Sequence, residues 1–367
     1  MKRTTPPFRA DHVGSFLRPK HLLEARAKRE HGEISASDLE LVEDAAIEKL
    51  VAKQESIGLQ AATDGEFRRT FWHLDFLEAL DGVERYEAAQ GIQFKGGQTK
   101  AWGLKVHGKL GFSDCHPMLK HFRFLKEHCS IVPKMTIPSP SVLHFRGGRK
   151  AVSTDVYPGM DEFYSDLGEA YLKAVKAFAA AGCRYLQLDE VNFTYLCDPD
   201  QREMLRARGD DPAALPEIYA TMINKSISEI PSDMAITMHL CRGNFKSMWI
   251  GSGGYEPVAE LLFNAVNVHG YFMEYDTERA GGFEPLRFVP KNKLVVLGLV
   301  TSKNGTLETK DELKRRIDEA AKFIDLDQLC LSPQCGFAST EEGNVLTEDE
   351  QWAKMERVIE VAREVWG

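Results

Sequence analysis

The feature that most constrains the fold is an alternation of short apolar runs with helix-period segments along all 367 residues. Such runs are typical of buried parallel strands. They occupy residues 59–66, 131–140, 183–190, 234–241, 269–275, 293–300 and 326–333. Between them lie helical patterns, several with capping residues at their ends. The clearest of these patterns cover residues 35–58, 161–182, 307–324 and 348–366.

Repeated strand-helix units with no low-complexity break favour an α/β fold, a single (β/α)8 TIM-type barrel over residues 1–367, rather than two doubly wound domains. Residues 8–16 and 104–112 are further strand candidates and bring the number of strands to eight or nine. The stretch at about 82–130 is rich in Gly and Lys with weak periodicity. It predicts an inserted excursion that carries a hairpin.

Composition excludes several classes of function. The net charge of -9 gives no general attraction for nucleic acid or anionic lipid. There is no run of 18 apolar residues, which predicts a cytoplasmic protein without a membrane segment. Seven scattered cysteines are too few for a disulfide framework and are expected to be reduced. No glycine-rich nucleotide-binding motif is present.

The polar residues at the predicted strand ends include possible metal ligands. His239 and Cys241 are two apart, so a strand directs both side chains to the same side. Glu274 and Cys335 follow two later strands. Together they offer the N, S, O and S donors that zinc accepts tetrahedrally. A lone His-x-Cys pair is common without metal, so spacing leaves both interpretations open.

Six motifs carry a resemblance to a known family over nearly the whole chain. In order they are DHVGSFLRP (11–19), TDGEFRR (63–69), QLDEVN (187–192), MHLCRGN (238–244), FMEYD (272–276) and SPQCGF (332–337). With these motifs the chain resembles the single-barrel relatives of cobalamin-independent methionine synthase. The resemblance implies a catalytic Zn2+ held by His239, Cys241, Glu274 and Cys335. It also implies a methyltransferase of the 5-methyltetrahydropteroyltriglutamate-homocysteine type, which transfers a methyl group to the thiol of L-homocysteine and forms methionine.

The resemblance further implies how the amino acid is bound. Gly14 and Ser15 would receive the homocysteine carboxylate, and Glu66 and Asp189 would hold its ammonium group. Other roles are open for each acid: Glu66 could pair with Arg68 or Arg69, and Asp189 could cap a helix. His12 could contact substrate or could be a buried polar residue with internal partners.

Two departures from the family leave the donor side open. Lys303 stands where the long enzyme has a proton-donating histidine, so it is either the catalytic acid or a lysine of an exposed loop. Residues 137–149 lack the aromatic residue on which the pterin packs in the long enzyme. The methyl donor could therefore be methyltetrahydrofolate, a related compound or a methylated corrinoid protein.

Two other functions compete with methionine formation. One is an epoxyalkane:coenzyme M transferase-like reaction, in which a zinc thiolate opens an epoxide. Coenzyme M has no ammonium group, so Glu66 and Asp189 favour an amino thiol, although several arginines keep this alternative open. The other is a non-catalytic, zinc-stabilised barrel that binds thiols. A carboxylate ligand at a barrel mouth favours catalysis, since structural zinc sites are usually closed by Cys and His.

Overall fold

A computed structural model describes residues 3–367 of the chain. Within these residues eleven strands and twelve α-helices are formed. The strands are β1 Ala61–Ala62, β2 Asp81–Glu87, β3 Gln93–Phe94, β4 Gly97–Gln98, β5 Trp102–Gly111, β6 Val132–Pro138, β7 Tyr185–Glu190, β8 Ala235–Leu240, β9 Gly270–Glu274, β10 Leu294–Val300 and β11 Leu329–Pro333. The helices are α1 Lys20–Glu30, α2 Ala36–Ile57, α3 Leu74–Leu77, α4 Pro117–His128, α5 Ser141–Gly147, α6 Met160–Ala180, α7 Asn192–Tyr195, α8 Pro199–Ala207, α9 Leu215–Ser226, α10 Glu256–Ala265, α11 Lys310–Ala320 and α12 Glu348–Trp366.

The centre of the molecule is a curled sheet of seven parallel strands in the order β1-β6-β7-β8-β9-β10-β11. Each of the seven apolar runs predicted as strands contains one of them. Nearly all of their residues are buried, because helices cover the outside of the sheet and its inner face packs on itself. The α/β class and the parallel sheet are confirmed, with a half-barrel of seven strands in place of the predicted eight.

The predicted first strand, residues 8–16, contacts the sheet without forming a ladder. Ala10 makes one parallel bridge to Leu331 in β11. At the other end, Phe16 N–H donates to the carbonyl of Gly65, which follows β1, at 3.2 Å. The segment therefore lies between β1 and β11, the first and last strands of the sheet. It contacts β11 and the residues that follow β1.

The chain between β1 and β6 leaves the parallel sheet. Strands β2 and β5 form an antiparallel pair, and β3 and β4 form a second, shorter one. The strand candidate at 104–112 falls mostly in β5, so it belongs to this pair and not to the central sheet. Helix α4 then leads the chain back to β6.

The long helices begin and end where the sequence predicts. Ser35 and Asp38 form a capping box before α2, and Gly58 ends that helix with a φ of 92°. Thr347 and Glu350 form the same box before α12. None of the helices within the described residues is long and apolar enough to cross a membrane.

Candidate active site

The curled sheet brings polar residues from several strands to one end. Asp189 lies in β7 and His239 in β8, and Glu274 is the last residue of β9. Cys241 follows β8 directly, and Cys335 lies two residues beyond β11. All five positions are at the carboxyl ends of parallel strands, where catalytic groups of barrel enzymes are found.

Three of the four predicted metal ligands form a compact group. The donor atoms of His239, Cys241 and Cys335 all lie within 4.8 Å of one another, and all three residues are buried. The Cys335 Sγ atom lies 3.4 Å from His239 Nε2 and 3.3 Å from Cys241 Sγ. The structure thus brings a nitrogen and two sulfur donors to one point, as the sequence predicts.

The three side chains of this group shift one another's pKa values. The hydrogen bond from Cys241, together with the nearby His239 ring, holds the pKa of Cys335 well below its usual value. The same hydrogen bond and burial raise the pKa of Cys241. Burial lowers the pKa of His239, but the charge of Cys335 outweighs burial and leaves it raised. The Gly243 N–H also donates to Cys241 Sγ at 3.2 Å, so electron-rich sulfur is stabilised here.

This donor set suits a metal ion. Two sulfurs at about 2.3 Å from a tetrahedral Zn2+ are about 3.8 Å apart. The observed separation of 3.3 Å needs only a small outward shift of either sulfur. The Nδ1 atom of His239 is buried without a hydrogen-bond partner among the described residues, so no other contact competes for the ring.

The fourth predicted ligand, Glu274, is held by positive groups. Its carboxylate accepts from Arg242 N–H at 3.0 Å and contacts Lys303 Nζ at 3.3 Å, and it forms an ion pair with Arg279. Burial alone would raise its pKa, but Lys303 and Arg279 hold the pKa at about 2. The carboxylate is not part of the compact group formed by the other three ligands.

Lys303, the predicted acid, is not an exposed loop lysine. Its ammonium group lies 3.3 Å from Glu274 and 3.7 Å from Asp276, and its side chain is 12% exposed. Burial lowers the pKa of Lys303, but the two carboxylates outweigh burial and raise it. Lys303 is therefore a charged side chain beside Glu274 and Asp276.

Gly14 and Glu66 are in tight contact. A Cβ atom at Gly14, whose φ is +152°, would come within 2.5 Å of Glu66 Oε1, so only glycine fits. Glu66 itself has a φ of 59°, which is unusual for a residue other than glycine and is typical of functional sites. Thr136 donates to Glu66 at 2.7 Å, and Arg69 forms a buried ion pair with it. The Arg69 pair is one of the two alternatives that the sequence left open.

Asp189 has fewer partners. It is 7% exposed and accepts from Gln187 Nε2 at 2.8 Å. Its predicted alternative as a helix cap is not what the structure shows, because Glu190 is the residue that accepts from the backbone N–H groups of α7. His12 has its Nε2 atom 3.3 Å from the Ala61 carbonyl, and its ring lies against Phe16.

Six of the ten predicted site residues line a small cavity of about 40 Å³, whereas His12, Gly14, Glu274 and Lys303 are not in its lining. Its lining includes Ser15, Glu66, Asp189, His239, Cys241 and Cys335. A larger cavity of about 370 Å³ is lined in part by the β2–β5 pair and by α5, with Tyr86, Trp102 and Phe145 among its walls. Arg146 lines both cavities.

Two residues of this region were not predicted from the sequence as site residues, namely Arg279 and Gln187. Arg279 lies in a short 3-10 helix after β9, where no periodic pattern indicates its direction. Gln187 lies two residues before Asp189 on the same strand, so the strand period would have placed both on one side. That signal was present in the sequence.

Comparison with known proteins gives consistent matches over the chain. The family model described as the catalytic domain of cobalamin-independent synthase matches residues 8–103 and 152–363. YxjH of Bacillus subtilis (strain 168), described as uncharacterized, is 53% identical over 367 residues, which is 100% of this chain and 96% of that protein.

Solved structures agree with this result. A Listeria monocytogenes protein, described as a proposed vitamin-B12 independent methionine synthase, is 42% identical, with a TM-score of 0.80 and full coverage of both chains. A B12-independent methionine synthase from Shewanella sp. W3-18-1, whose structure is in complex with selenomethionine, shares the fold with a TM-score of 0.69 at 17% identity. The match covers 97% of each chain. The family model and the relatives show that this chain belongs to the cobalamin-independent methionine synthase family.

Proposed function

We propose that the protein is a zinc-dependent methyltransferase that transfers a methyl group to the thiol of L-homocysteine and forms methionine. One observation carries the proposal. The buried group of His239, Cys241 and Cys335 lines the same small cavity as Glu66 and Asp189. A cavity that offers sulfur-rich metal ligands and two carboxylates suits a substrate with a thiol at one end and an ammonium group at the other.

His239, Cys241 and Cys335 would hold the metal, with Glu274 as the fourth ligand by resemblance to the family. Zinc bound there would lower the pKa of an incoming thiol so that it reacts as a thiolate. Glu274 would be the ligand that gives way, because Lys303, Arg279 and the Arg242 N–H already compete for its carboxylate.

The remaining residues would bind and orient the amino acid. Asp189 offers a buried carboxylate close to His239 and Arg69, and a substrate ammonium group would compensate for the solvation that this carboxylate loses on burial. Gly14 and Ser15 would receive the carboxylate, and Glu66 would support the ammonium group together with Asp189. Holding the thiol beside the methyl carbon in this way supplies several kcal/mol through orientation.

The methyl donor would enter through the larger cavity next to Arg146. Its volume of about 370 Å³ and its aromatic walls suit a small organic molecule. Methyltetrahydrofolate, a related donor and a corrinoid-borne methyl group are the candidates. Lys303 would be the acid that returns a proton to the leaving group, since it is a charged side chain beside Glu274, the proposed fourth ligand.

The proposal includes the architecture and the compartment. Residues 8–16 would complete the (β/α)8 barrel, since they contact both β11 and the residues after β1. Residues 1–367 would then form one catalytic domain, with 82–130 as an inserted excursion. A cytoplasmic location would keep Cys241 and Cys335 reduced.

A coenzyme M transferase is the second candidate, because Arg69 and Arg146 both line the small cavity and could bind a sulfonate. The test is calorimetric titration of the zinc-loaded protein with L-homocysteine and, separately, with coenzyme M. Binding of L-homocysteine with proton release supports the proposed function, and a preference for coenzyme M overturns it. Loss of the fold on chelation would instead indicate a non-catalytic, zinc-stabilised thiol-binding barrel.

A further inference from the structure

The segment that carries Gly14 and Ser15 is held by side chains of the sheet rather than by a strand ladder. Its three successive carbonyls each accept from a different element. Lys134 in β6 donates to the His12 carbonyl at 2.5 Å, and Gln187 in β7 donates to the Val13 carbonyl at 2.7 Å. Thr63, after β1, donates to the Gly14 carbonyl at 2.5 Å. The position of the segment is therefore set from inside the sheet.

Gln187 differs from the other two donors in its second partner. Lys134 also donates to Asp11 and Thr63 also accepts from the Gly65 N–H, and neither Asp11 nor Gly65 lines the small cavity, whereas the second partner of Gln187 does. The same Nε2 atom donates to Asp189 Oδ1 at 2.8 Å. Both partners are acceptors, a carbonyl and a carboxylate, so they fix which end of the amide faces them. Gln187 is fully buried, which leaves its side chain no freedom to shift between partners. One amide thus connects the segment before Gly14 with Asp189.

We infer that Gln187 is a positioning residue that sets the spacing between the two halves of the amino-acid site, and thereby selects thiols that carry both an α-ammonium and an α-carboxylate group. The inference rests on the proposed function. One half is the segment at Gly14 and Ser15, and the other is Asp189.

The chemistry of the ligand explains why such a connection matters. The ammonium and carboxylate groups of an α-amino acid share one carbon, so their separation cannot adjust. The two halves of the site come from elements 174 residues apart, and in the central sheet β7 is separated from β11, the bridge partner of the N-terminal segment, by three strands. A bond between the halves keeps their spacing constant. A thiol with only one of the two charged groups can shift to fit and does not depend on the spacing.

The experiment compares three thiols by calorimetry on the zinc-loaded full chain and on its Gln187→Met variant. The thiols are L-homocysteine, 3-mercaptopropylamine, which lacks the carboxylate, and 4-mercaptobutyrate, which lacks the ammonium group. Methionine keeps the volume of the side chain and removes both hydrogen bonds. We expect the Kd for L-homocysteine to rise about tenfold, with the Kd values of the two truncated thiols changed by less than about twofold.

Gln187→Asn is the second variant, since its amide keeps the donor but is one methylene too short to reach both partners. It should show the same selective loss and gives the answer if the methionine variant does not fold. Thr63→Val is the matched control, because it removes the bond to the Gly14 carbonyl, and a second one from the Gly65 N–H, while Thr63 makes no contact with Asp189. Its effect should extend to 4-mercaptobutyrate. Equal weakening of all three thiols in the Gln187 variants, or unchanged L-homocysteine binding, would overturn the inference. Failure of the unmodified protein to bind L-homocysteine would instead reject the proposed function.

Discussion

The sulfur of Cys241 lies 3.3 Å from the sulfur of Cys335, although 94 residues separate them in the chain. Cys241 follows β8 and Cys335 follows β11, and two strands stand between these in the sheet. Adjacent strands are already about 4.8 Å apart, so a flat sheet would hold these ends well out of contact. The curl of the sheet therefore brings the candidate metal ligands together.

Replacing both cysteines with serine should abolish metal binding. Serine keeps the size of the side chain but does not supply a thiolate at neutral pH. The unmodified protein should contain about one zinc ion per chain and the Cys241→Ser/Cys335→Ser variant close to none, as measured by mass spectrometry of the purified proteins. Cys115→Ser is the control, because Cys115 is exposed and outside the site. Full zinc content in the double variant would contradict the ligand assignment.

The ion pair between Glu66 and Arg69 should be visible in stability. Both side chains are 6% exposed, so removing one charge leaves the other buried and unpaired. We expect Glu66→Gln to lower the free energy of unfolding by about 3 kcal/mol, and Glu66→Gln/Arg69→Met to restore part of this loss. Urea unfolding of the single and double variants measures both effects. A strictly additive result would mean that the two charges do not stabilise each other.

Two variants of Lys303 separate the effect of its positive charge from its proposed role as a proton donor. Lys303→Met removes both, whereas Lys303→Arg keeps the positive charge beside Glu274 and Asp276 but does not release a proton near neutral pH. If Lys303 is the acid, kcat should fall by about 100-fold in both variants, with thiol binding retained. Steady-state kinetics with the methyl donor in use gives the comparison. Recovery of kcat in Lys303→Arg would assign Lys303 a purely electrostatic role.

Stability should decrease in mild acid because of His144. Burial lowers its pKa from 6.5 to about 4, and its two ring nitrogens contact Tyr219 at 2.8 Å and Tyr164 at 3.0 Å. Between these two pH values the unfolded chain binds the proton and the folded chain does not. The stabilisation that neutral, buried His144 contributes to the free energy of unfolding is therefore complete above pH 6.5. It is lost as the pH falls toward 4, and the total loss is about 3 kcal/mol.

The check is urea unfolding at pH 7.5 and pH 4.5 for the unmodified protein and for His144→Gln. Glutamine can bond the same tyrosines but does not titrate. The difference in unfolding free energy between the two pH values should be smaller in the variant. His12 and His121 also have pKa values lowered to about 4 by burial, so part of the pH dependence should remain. An identical pH dependence in both proteins would contradict the assignment to His144.

The sequence by itself determined the parallel sheet and the ends of the long helices, and it predicted His239, Cys241 and Cys335 as metal ligands. These follow from local rules: apolar runs of strand length, capping residues, and the period of two that places His239 and Cys241 on one side. The ordered motifs at strand ends then indicated the family, because the residues and order of these motifs can be read from the sequence without knowing how the sheet curls.

The partners of the charged residues were decided only by the tertiary structure. Periodicity states which side of a strand a residue faces, but not which cation from a distant loop reaches it. The sequence therefore left open whether Glu66 binds substrate or pairs with Arg68 or Arg69, and it gave no sign that Arg279 and Lys303 would meet at Glu274. It also could not show that residues 8–16 would be fixed by buried side chains instead of a ladder, since that depends on the curl of the sheet.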